Sequence, residues 1–299
     1  MTQDMAASVR ARLLNLAKAE GSDFNQVLVR YTLERLLYRL SQSAHADRFV
    51  LKGALLFTLW YDMAHRPTRD ADLLGFGASD LASIGQMFRG IAAVAVEDGI
   101  VFDPASVKVE DIRKESGYSG ARVLITGELA QARCRAQVDI GFGDAVTPGP
   151  VQAVFPVLIA DFPAPQLRTY PVYTVIAEKL HAITLLGMTN TRLKDYLDLS
   201  VLLEREALDP TILAKAIAAT FMRRGMAVPA QLPIGLSDEF ANDVTRQALW
   251  RAFLKKNALA ITPLPSTVSA LRTYLYPVIR QAALQQMDLP DLPDLPGTP

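Results

Sequence analysis

The stretch from Phe49 to Phe76, FVLKGALLFTLWYDMAHRPTRDADLLGF, leaves a chain few ways to fold. A short apolar run ends at Lys52-Gly53, an apolar segment follows, and beyond Arg66-Pro67 a second short run opens with Asp70 and Asp72. This pattern predicts a strand, a glycine turn, a helix over about 54–62, a loop and a second strand. The helix is apolar almost all round and so has to be buried. Side chains two apart on a strand share a face, which lets Asp70 and Asp72 grip the same ion. The turn at Gly53 opens a helix, and helix N-terminal amides attract anions. One stretch thus offers a phosphate cradle and a hook for a divalent metal.

The rest of the chain frames that stretch. Its 299 residues suggest two domains as a soft prior, and the composition, half hydrophobic and 21% charged, supports a sizeable core. Lys plus Arg equals Asp plus Glu at 31 each, so nucleic-acid binding requires a local basic patch rather than overall charge. A single cysteine, Cys134, excludes an intrachain disulfide and argues against a cysteine-based zinc site. No apolar run is long enough to span a bilayer and no signal-peptide pattern is present, so a cytoplasmic protein with no membrane partner is expected.

Helices are expected over 5–19, 24–43 and 79–98, with Ser22 or Asp23 capping the second, and Ser79 or Asp80 the third. In the second, Arg30, Glu34, Arg35 and Arg39 read as a solvated face. Alternation then predicts strands over 107–112, 121–129 and 133–142, with turn signals at Ser116-Gly117 and Ser119-Gly120. Residues 144–172 read as loop because of Pro148, Pro150, Pro156, Pro163, Pro165 and Pro171. Helices follow at about 173–187, 193–205, 210–224, 238–256 and 265–286. The tail from Asp288 repeats Asp-Leu-Pro, which excludes regular helix, and a mobile or extended segment is expected. The resulting outline is a mixed α/β region over 1–172, a helical lobe over 173–287 and a tail over 288–299. The junction of the lobes is a natural place for a cleft.

Chemistry centres on carboxylates. Hard oxygen ligands suit Mg²⁺, which commonly takes one or two carboxylates together with substrate phosphates. A D-x-D pair also suits two ions about 3.5–4 Å apart, although two surface aspartates at a strand end look the same. Asp139, in AQVDIGFGD, lies opposite in facing to Val138 and Ile140. On a strand beside that of Asp72 it becomes a third ligand, or the acceptor of a hydroxyl proton; a half-exposed strand with a polar outward position accounts for it too. Arg66 and Arg69 flank the carboxylates and could bind triphosphate, and Thr68 would sit beside them. Residues 240–256 hold Arg246, Arg251, Lys255 and Lys256, with Arg223 and Arg224 near in sequence, as an RNA-binding face or equally a solvated helix. His45, His65 and His181 show no metal-ligand spacing, and Gly75 with Gly77 lacks the rest of a dinucleotide fingerprint.

Four blocks in order, RFVLKGALLF, RPTRDADLLGFG, QVDIGFGD and AEKLHAITLLGMTNTRLKDYLDLSVLL, give the chain its resemblance to the AbiEii/AbiGii toxin family of the DNA polymerase β-like nucleotidyltransferase superfamily. The resemblance spans about residues 48–203. It implies an α/β (α+β) nucleotidyltransferase fold, a mixed sheet with flanking helices plus a C-terminal α-helical lobe. It implies Asp70 and Asp72 as metal ligands, Asp139 as the third carboxylate, Gly53 as the glycine of the first motif, Lys179 as a phosphate contact and Asp195 as completing the active site. Lys52 is the nearby lysine that could assist at the phosphates. The implied cofactor is Mg²⁺, or Mn²⁺, with an NTP as substrate. The implied acceptor is RNA, foremost the 3′ end of tRNA, whose blocking would stop translation. A separately encoded antitoxin is the implied partner, in a toxin–antitoxin or phage-defence system. Nucleotidylation of a protein or small molecule, NTP-dependent phosphoryl transfer and a non-catalytic binding module are the competing readings. The chain departs from the family where a hydroxyl residue ordinarily follows the motif glycine: here it is Ala54.

Without the resemblance, Lys179 reads as a lysine snorkelling from an apolar helix. Asp195 and Asp198 then read as surface partners of Arg192 and Lys194.

Overall fold

The computed structural model describes residues 2–61, 68–113 and 119–287. Arg66, His65, the Ser116-Gly117 turn and the Asp-Leu-Pro tail lie outside the described residues. The chain divides into two compact units, residues 1–144 with 150–170, and residues 145–149 with 171–299.

The first unit runs α1 (Thr2–Glu20), α2 (Phe24–Gln42), β1 (Phe49–Lys52), α3 (Leu55–Tyr61), β2 (Ala71–Gly75), α4 (Leu81–Ala92), β3 (Ile100–Phe102), β4 (Lys108–Arg113), β5 (Ser119–Leu129), β6 (Ala132–Phe142), β7 (Val151–Val154) and β8 (Gln166–Thr169). The strands form one mixed sheet in the order β3-β5-β6-β2-β1-β8-β7, with β4 also paired to β5. β2 runs antiparallel to β1 and parallel to β6. Alternation sets the two faces of the sheet. Cys134, Ala136, Val138 and Ile140 of β6 are buried, whereas Arg133 and Arg135 are exposed. α2 packs on β6, and α4 on β4 and β5. Asp23 caps α2 by accepting from the Asn25 and Gln26 amides, and Asp80 caps α4 by accepting from Ser83.

Three expectations are corrected here. The proline-rich stretch 144–172 contains two strands, β7 and β8. Its prolines stand between and beside them, where no ladder N–H is lost. Helix α4 stops at Ala92, well short of residue 98. The charged face expected on α2 is not solvated: Glu34, Arg35 and Arg39 are buried. Arg39 forks onto Asp98 at 2.7 and 3.0 Å and also donates to the Ile100 carbonyl. Arg35 lies 3.0 Å from Glu34 and donates to the Pro163 carbonyl, while Glu34 accepts from the Leu158 amide. α2 is thus enclosed on more than one side. Each buried polar side chain here has a partner of opposite sign or a backbone group, which offsets part of the cost of burial.

The second unit is helical: α5 (Val172–Leu186), α6 (Leu193–Arg205), α7 (Pro210–Arg223), α8 (Asp238–Asn242), α9 (Val244–Lys256) and α10 (Leu264–Met287). α7 packs against α5 and α10 around Ile176, Leu180, Ile217, Phe221, Leu275 and Ile279, all buried. The helix expected over 238–256 is broken at Asp243, whose carboxylate caps α9 by accepting from the Arg246 amide at 2.8 Å. Tyr196 stacks on Phe240 and donates to the Gly235 carbonyl at 2.8 Å. No helix among the described residues is long and apolar enough to cross a membrane.

Candidate active site

In the first unit the turn after β1 determines the geometry. Gly53 has φ +74°, and a Cβ built there would stand 2.1 Å from Asp72 Oδ2 and 2.8 Å from Asp72 Cβ. Only glycine lets β1 turn into α3 with the Asp72 carboxylate lying over the turn. The Leu56 and Phe57 amides bond back to the Gly53 and Ala54 carbonyls and so start α3.

Strand register then assembles a row of charge. Lys52 on β1 pairs with Asp72 on β2, Asp72 with Asp139 on β6, and Asp139 with Arg122 on β5. Residues directly opposite across adjacent strands project to one face, so the order on that face is Lys52, Asp72, Asp139, Arg122 and, from β4, Glu110. β6 does neighbour β2, which is the condition on which Asp139 joins Asp72 as a carboxylate of one face. Asp70 immediately precedes β2, and its Oδ1 accepts from Thr68 Oγ1 at 2.9 Å. Arg69 is exposed.

The two cations of the row are held differently. Lys52 is buried, donates to Asp144 Oδ2 at 2.5 Å and sits 5.3 Å from the centre of the Tyr170 ring. The Tyr170 hydroxyl reaches the same carboxylate oxygen at 3.3 Å. Arg122 forks onto Asp139, Nε to Oδ1 at 2.8 Å and Nη2 to Oδ2 at 2.7 Å. The hydrogen bond to Asp139 holds the Arg122 guanidinium above its ordinary pKa, so it stays charged. Neither Arg122 nor Asp144 stands out in the sequence. Asp144 at least closes the QVDIGFGD block, whereas the place of Arg122 depends on a cross-strand register that sequence does not display.

In the second unit, α5 supplies Lys179 and α6 supplies Asp195 and Asp198. The Lys179 ammonium donates to Asp195 Oδ1 at 2.9 Å and to Asp198 Oδ2 at 2.5 Å, and Arg192 Nε donates to Asp195 Oδ2 at 2.9 Å. Both carboxylates are fully buried, whereas the Lys179 side chain is 14% exposed. Burial alone would lower the lysine's pKa, but the two carboxylates outweigh it and hold the pKa above the ordinary value. This corrects the surface reading in part: Asp195 does pair with Arg192, but both carboxylates are buried, and Asp198 faces Lys179 rather than Lys194. Asp195 and Asp198 lie three apart, on one face of a helix. That was the available sign that both could serve one cation. Arg224 is tied to Glu178 at 3.0 Å and lies 3.4 Å from His181 Nδ1.

The basic face expected on α9 is smaller than its sequence. Arg251, Lys255 and Lys256 are exposed, whereas Arg246 turns inward and donates to the Met188 carbonyl.

The donor set in the first unit consists of hard carboxylate oxygens, with a guanidinium already seated on one of them, so the face accepts cations. Among the described residues no three His, Cys, Asp or Glu side chains form a preformed metal cage. Mg²⁺ does not need one, because it keeps waters and takes phosphate oxygens alongside one or two carboxylates. Asp70, Asp72 and Asp139 therefore fit that ion by chemistry.

The chain matches the profile of the family described as nucleotidyl transferase AbiEii toxin, type IV toxin–antitoxin system, over residues 35–275. Among solved structures it is similar to JHP933 from Helicobacter pylori at 16% identity, covering 85% of this chain and 90% of that one with a TM-score of 0.48. It is also similar to a candidate nucleotidyltransferase from H. pylori at 17% identity, covering 90% and 97% with a TM-score of 0.45. No curated protein sequence matches it.

Proposed function

This chain belongs to the AbiEii nucleotidyl transferase toxin family of type IV toxin–antitoxin systems, and on that premise we propose that it moves a nucleoside monophosphate from an NTP to RNA in a Mg²⁺-dependent reaction. The acceptor is the 3′ end of tRNA. The acceptor hydroxyl oxygen attacks the α-phosphorus, the bond from that phosphorus to the bridging oxygen breaks, and pyrophosphate leaves. A capped acceptor end cannot be aminoacylated, so translation stops and growth arrests, as suits a phage-defence toxin restrained by its antitoxin.

The observation that carries this reading is the register that sets Asp72 beside Asp139, with Asp70 just before the same strand. Asp70, Asp72 and Asp139 would hold the divalent ion, which supplies neutralisation of triphosphate and leaving-group charge. Asp139 also orients the attacking hydroxyl or takes its proton. Gly53 lets the backbone come close to Asp72, and backbone amides at the start of α3 would take the part of the missing hydroxyl. Lys179 contacts the triphosphate with the N–H that its two aspartates leave over. Asp195, itself fully buried, fixes that ammonium in place. Lys52 orders the turn through Asp144, and Arg69 is the exposed cation beside the carboxylates. Arg251, Lys255 and Lys256 bind acceptor backbone.

Incubation with Mg²⁺, each α-labelled NTP and total tRNA tests the proposal. Label on the RNA, lost on chelation and in Asp70→Ala and Lys179→Ala, is the expected result. Label transferred from the γ-position alone replaces the reaction with phosphoryl transfer, and label on protein or a small molecule replaces the acceptor.

A further inference from the structure

Arg122 is the cation on the carboxylate face to which the reaction so far assigns nothing. Its guanidinium covers both oxygens of Asp139 in a two-bond fork and feels the Asp70 carboxylate and that of Glu110, its partner on β4, as well. Gln137, two residues before Asp139 and on the same face, completes the setting. With its amide turned to satisfy both partners, its oxygen accepts from Arg122 Nε and Nη2 at 3.2 and 3.3 Å. The arginine side chain is nevertheless 35% exposed while Asp139 is nearly buried, at 11%. The pair is thus made at the rim of the face, by a long side chain that can swing away from a carboxylate that cannot.

We propose that Arg122 is the resident counter-cation of Asp139, that it competes with the divalent metal for that carboxylate, and that on displacement it turns to the phosphates of the incoming NTP. This rests on the metal-dependent transfer proposed above. The chemistry favours exchange over a permanent lock. Three neighbouring carboxylates repel one another, and a guanidinium fork quiets one of them at the cost of covering the oxygens a metal needs. A triphosphate offers the displaced fork another pair of anionic oxygens of higher total charge, and Arg binds two phosphate oxygens as it binds the two of a carboxylate. Arg122 thereby makes metal binding and nucleotide binding mutually supportive: the metal frees the arginine, and the nucleotide receives it.

Direct Mn²⁺ titration by electron paramagnetic resonance on the full chain, with and without a non-hydrolysable NTP, tests this. Without nucleotide, Arg122→Gln is expected to bind Mn²⁺ about tenfold more tightly than the wild type, the worth of one charge-assisted fork at a partly exposed site. In Mg²⁺ it is expected to bind the NTP analogue about tenfold more weakly. Arg122→Lys keeps the charge without the fork and should move both constants in the same directions by about threefold. Equal melting temperatures establish that each variant is folded. Should Arg122→Gln fall in stability, the lysine variant carries the test. Unchanged or weaker Mn²⁺ binding in both variants would show Arg122 to be a structural partner only and overturn the proposal. Wild-type Mn²⁺ binding that Asp70→Asn leaves unchanged would overturn the metal reading itself, and this proposal with it. The two failures are therefore distinguishable.

Discussion

Replacing Gly53 by alanine separates what the turn does for folding from what it does for chemistry. The backbone sits at φ +74°, where an L side chain costs about 1–2 kcal/mol. The new methyl would also lie 2.8 Å from Asp72 Cβ and Cγ and 2.1 Å from Oδ2. Carbon atoms rest at roughly 3.5–4.0 Å, so the overlap with Asp72 Cβ is about 0.7 Å or more. The carboxylate oxygen can rotate away, but the Cβ belongs to β2 and moves only with its strand, at the last pair of the β1–β2 ladder. Overpacking of this kind typically costs about 1–3 kcal/mol. Together the two effects reach about 3 kcal/mol, or about 6–12 °C in melting temperature for a unit of this size. The unit should stay folded. Transfer should fall at least about 100-fold, because an Asp72 displaced by part of an ångström no longer shares its place with Asp139. Differential scanning fluorimetry beside the labelled-NTP assay measures both. A lowered melting temperature with wild-type turnover would mean that Asp72 takes no part in the reaction. A melting temperature and turnover both unchanged would refute the close approach itself.

Further outcomes follow from the buried charges. Burial raises the Glu34 carboxyl to about 7. Folding therefore takes up a proton between about pH 4.5 and 7, and stability falls as pH rises through that window, by at most about 3 kcal/mol. Glu34→Gln should flatten that slope in urea titrations at pH 5 and 7.5, and an unchanged slope would assign it elsewhere. Lys179→Met removes the cation from two fully buried aspartates and should destabilise the second unit by about 3 kcal/mol, the low end for a broken buried pair because the lysine is partly exposed. The Lys179 pKa is raised on folding, so its contribution is complete below the unfolded value near 10.4 and is lost only as pH rises above it. The difference between wild type and Lys179→Met should therefore hold constant from pH 7 to 9. Reversing Arg251, Lys255 and Lys256 to Glu should weaken acceptor use and lower its salt slope by about 2, since each phosphate contact on single strands carries about 0.7. NTP binding should stay unchanged, and acceptor kinetics that do not move would remove α9 from the acceptor surface. Arg246→Glu should act instead through the melting temperature, because its partner is the Met188 carbonyl.

Local patterns made much of this legible in the sequence. The strand–turn–helix–strand at 49–75 announces itself through Gly53 and the apolar runs around it. The long strands at 119–129 and 132–142 show by alternation. Strand β3 is three residues long, and β7 and β8 are four each between prolines, too short to outweigh the turn signals beside them. The charges of α2 and of α6 were misread for one reason. Arg and Glu at helical spacing look like a solvated face whether they meet water or each other, and only the tertiary partners, Asp98 for Arg39 and Lys179 for Asp198, distinguish the two. Arg122 belongs to the same class: strand register places it on Asp139, and register is a property of pairing rather than of either strand.

Counting cations sharpens what the carboxylate face can do. The lysine that precedes the motif glycine looks, in sequence, like the natural partner of a triphosphate. In the structure its ammonium is buried against Asp144 and Tyr170, so its charge is already balanced and its role is to hold the end of β1 in place. In the second unit, Lys179 is likewise balanced by two aspartates. An NTP with its metal still carries negative charge, and a face with three carboxylates cannot receive it without mobile positive charge of its own. Among the described residues of the first unit, two arginines near those carboxylates keep exposure: Arg69, and Arg122 at the rim on Asp139. On the reading proposed above, an anionic substrate arriving at this face would meet its balancing charge at Arg69 and Arg122 rather than at Lys52, and exchange of Arg122 between Asp139 and phosphate would link metal entry to nucleotide entry.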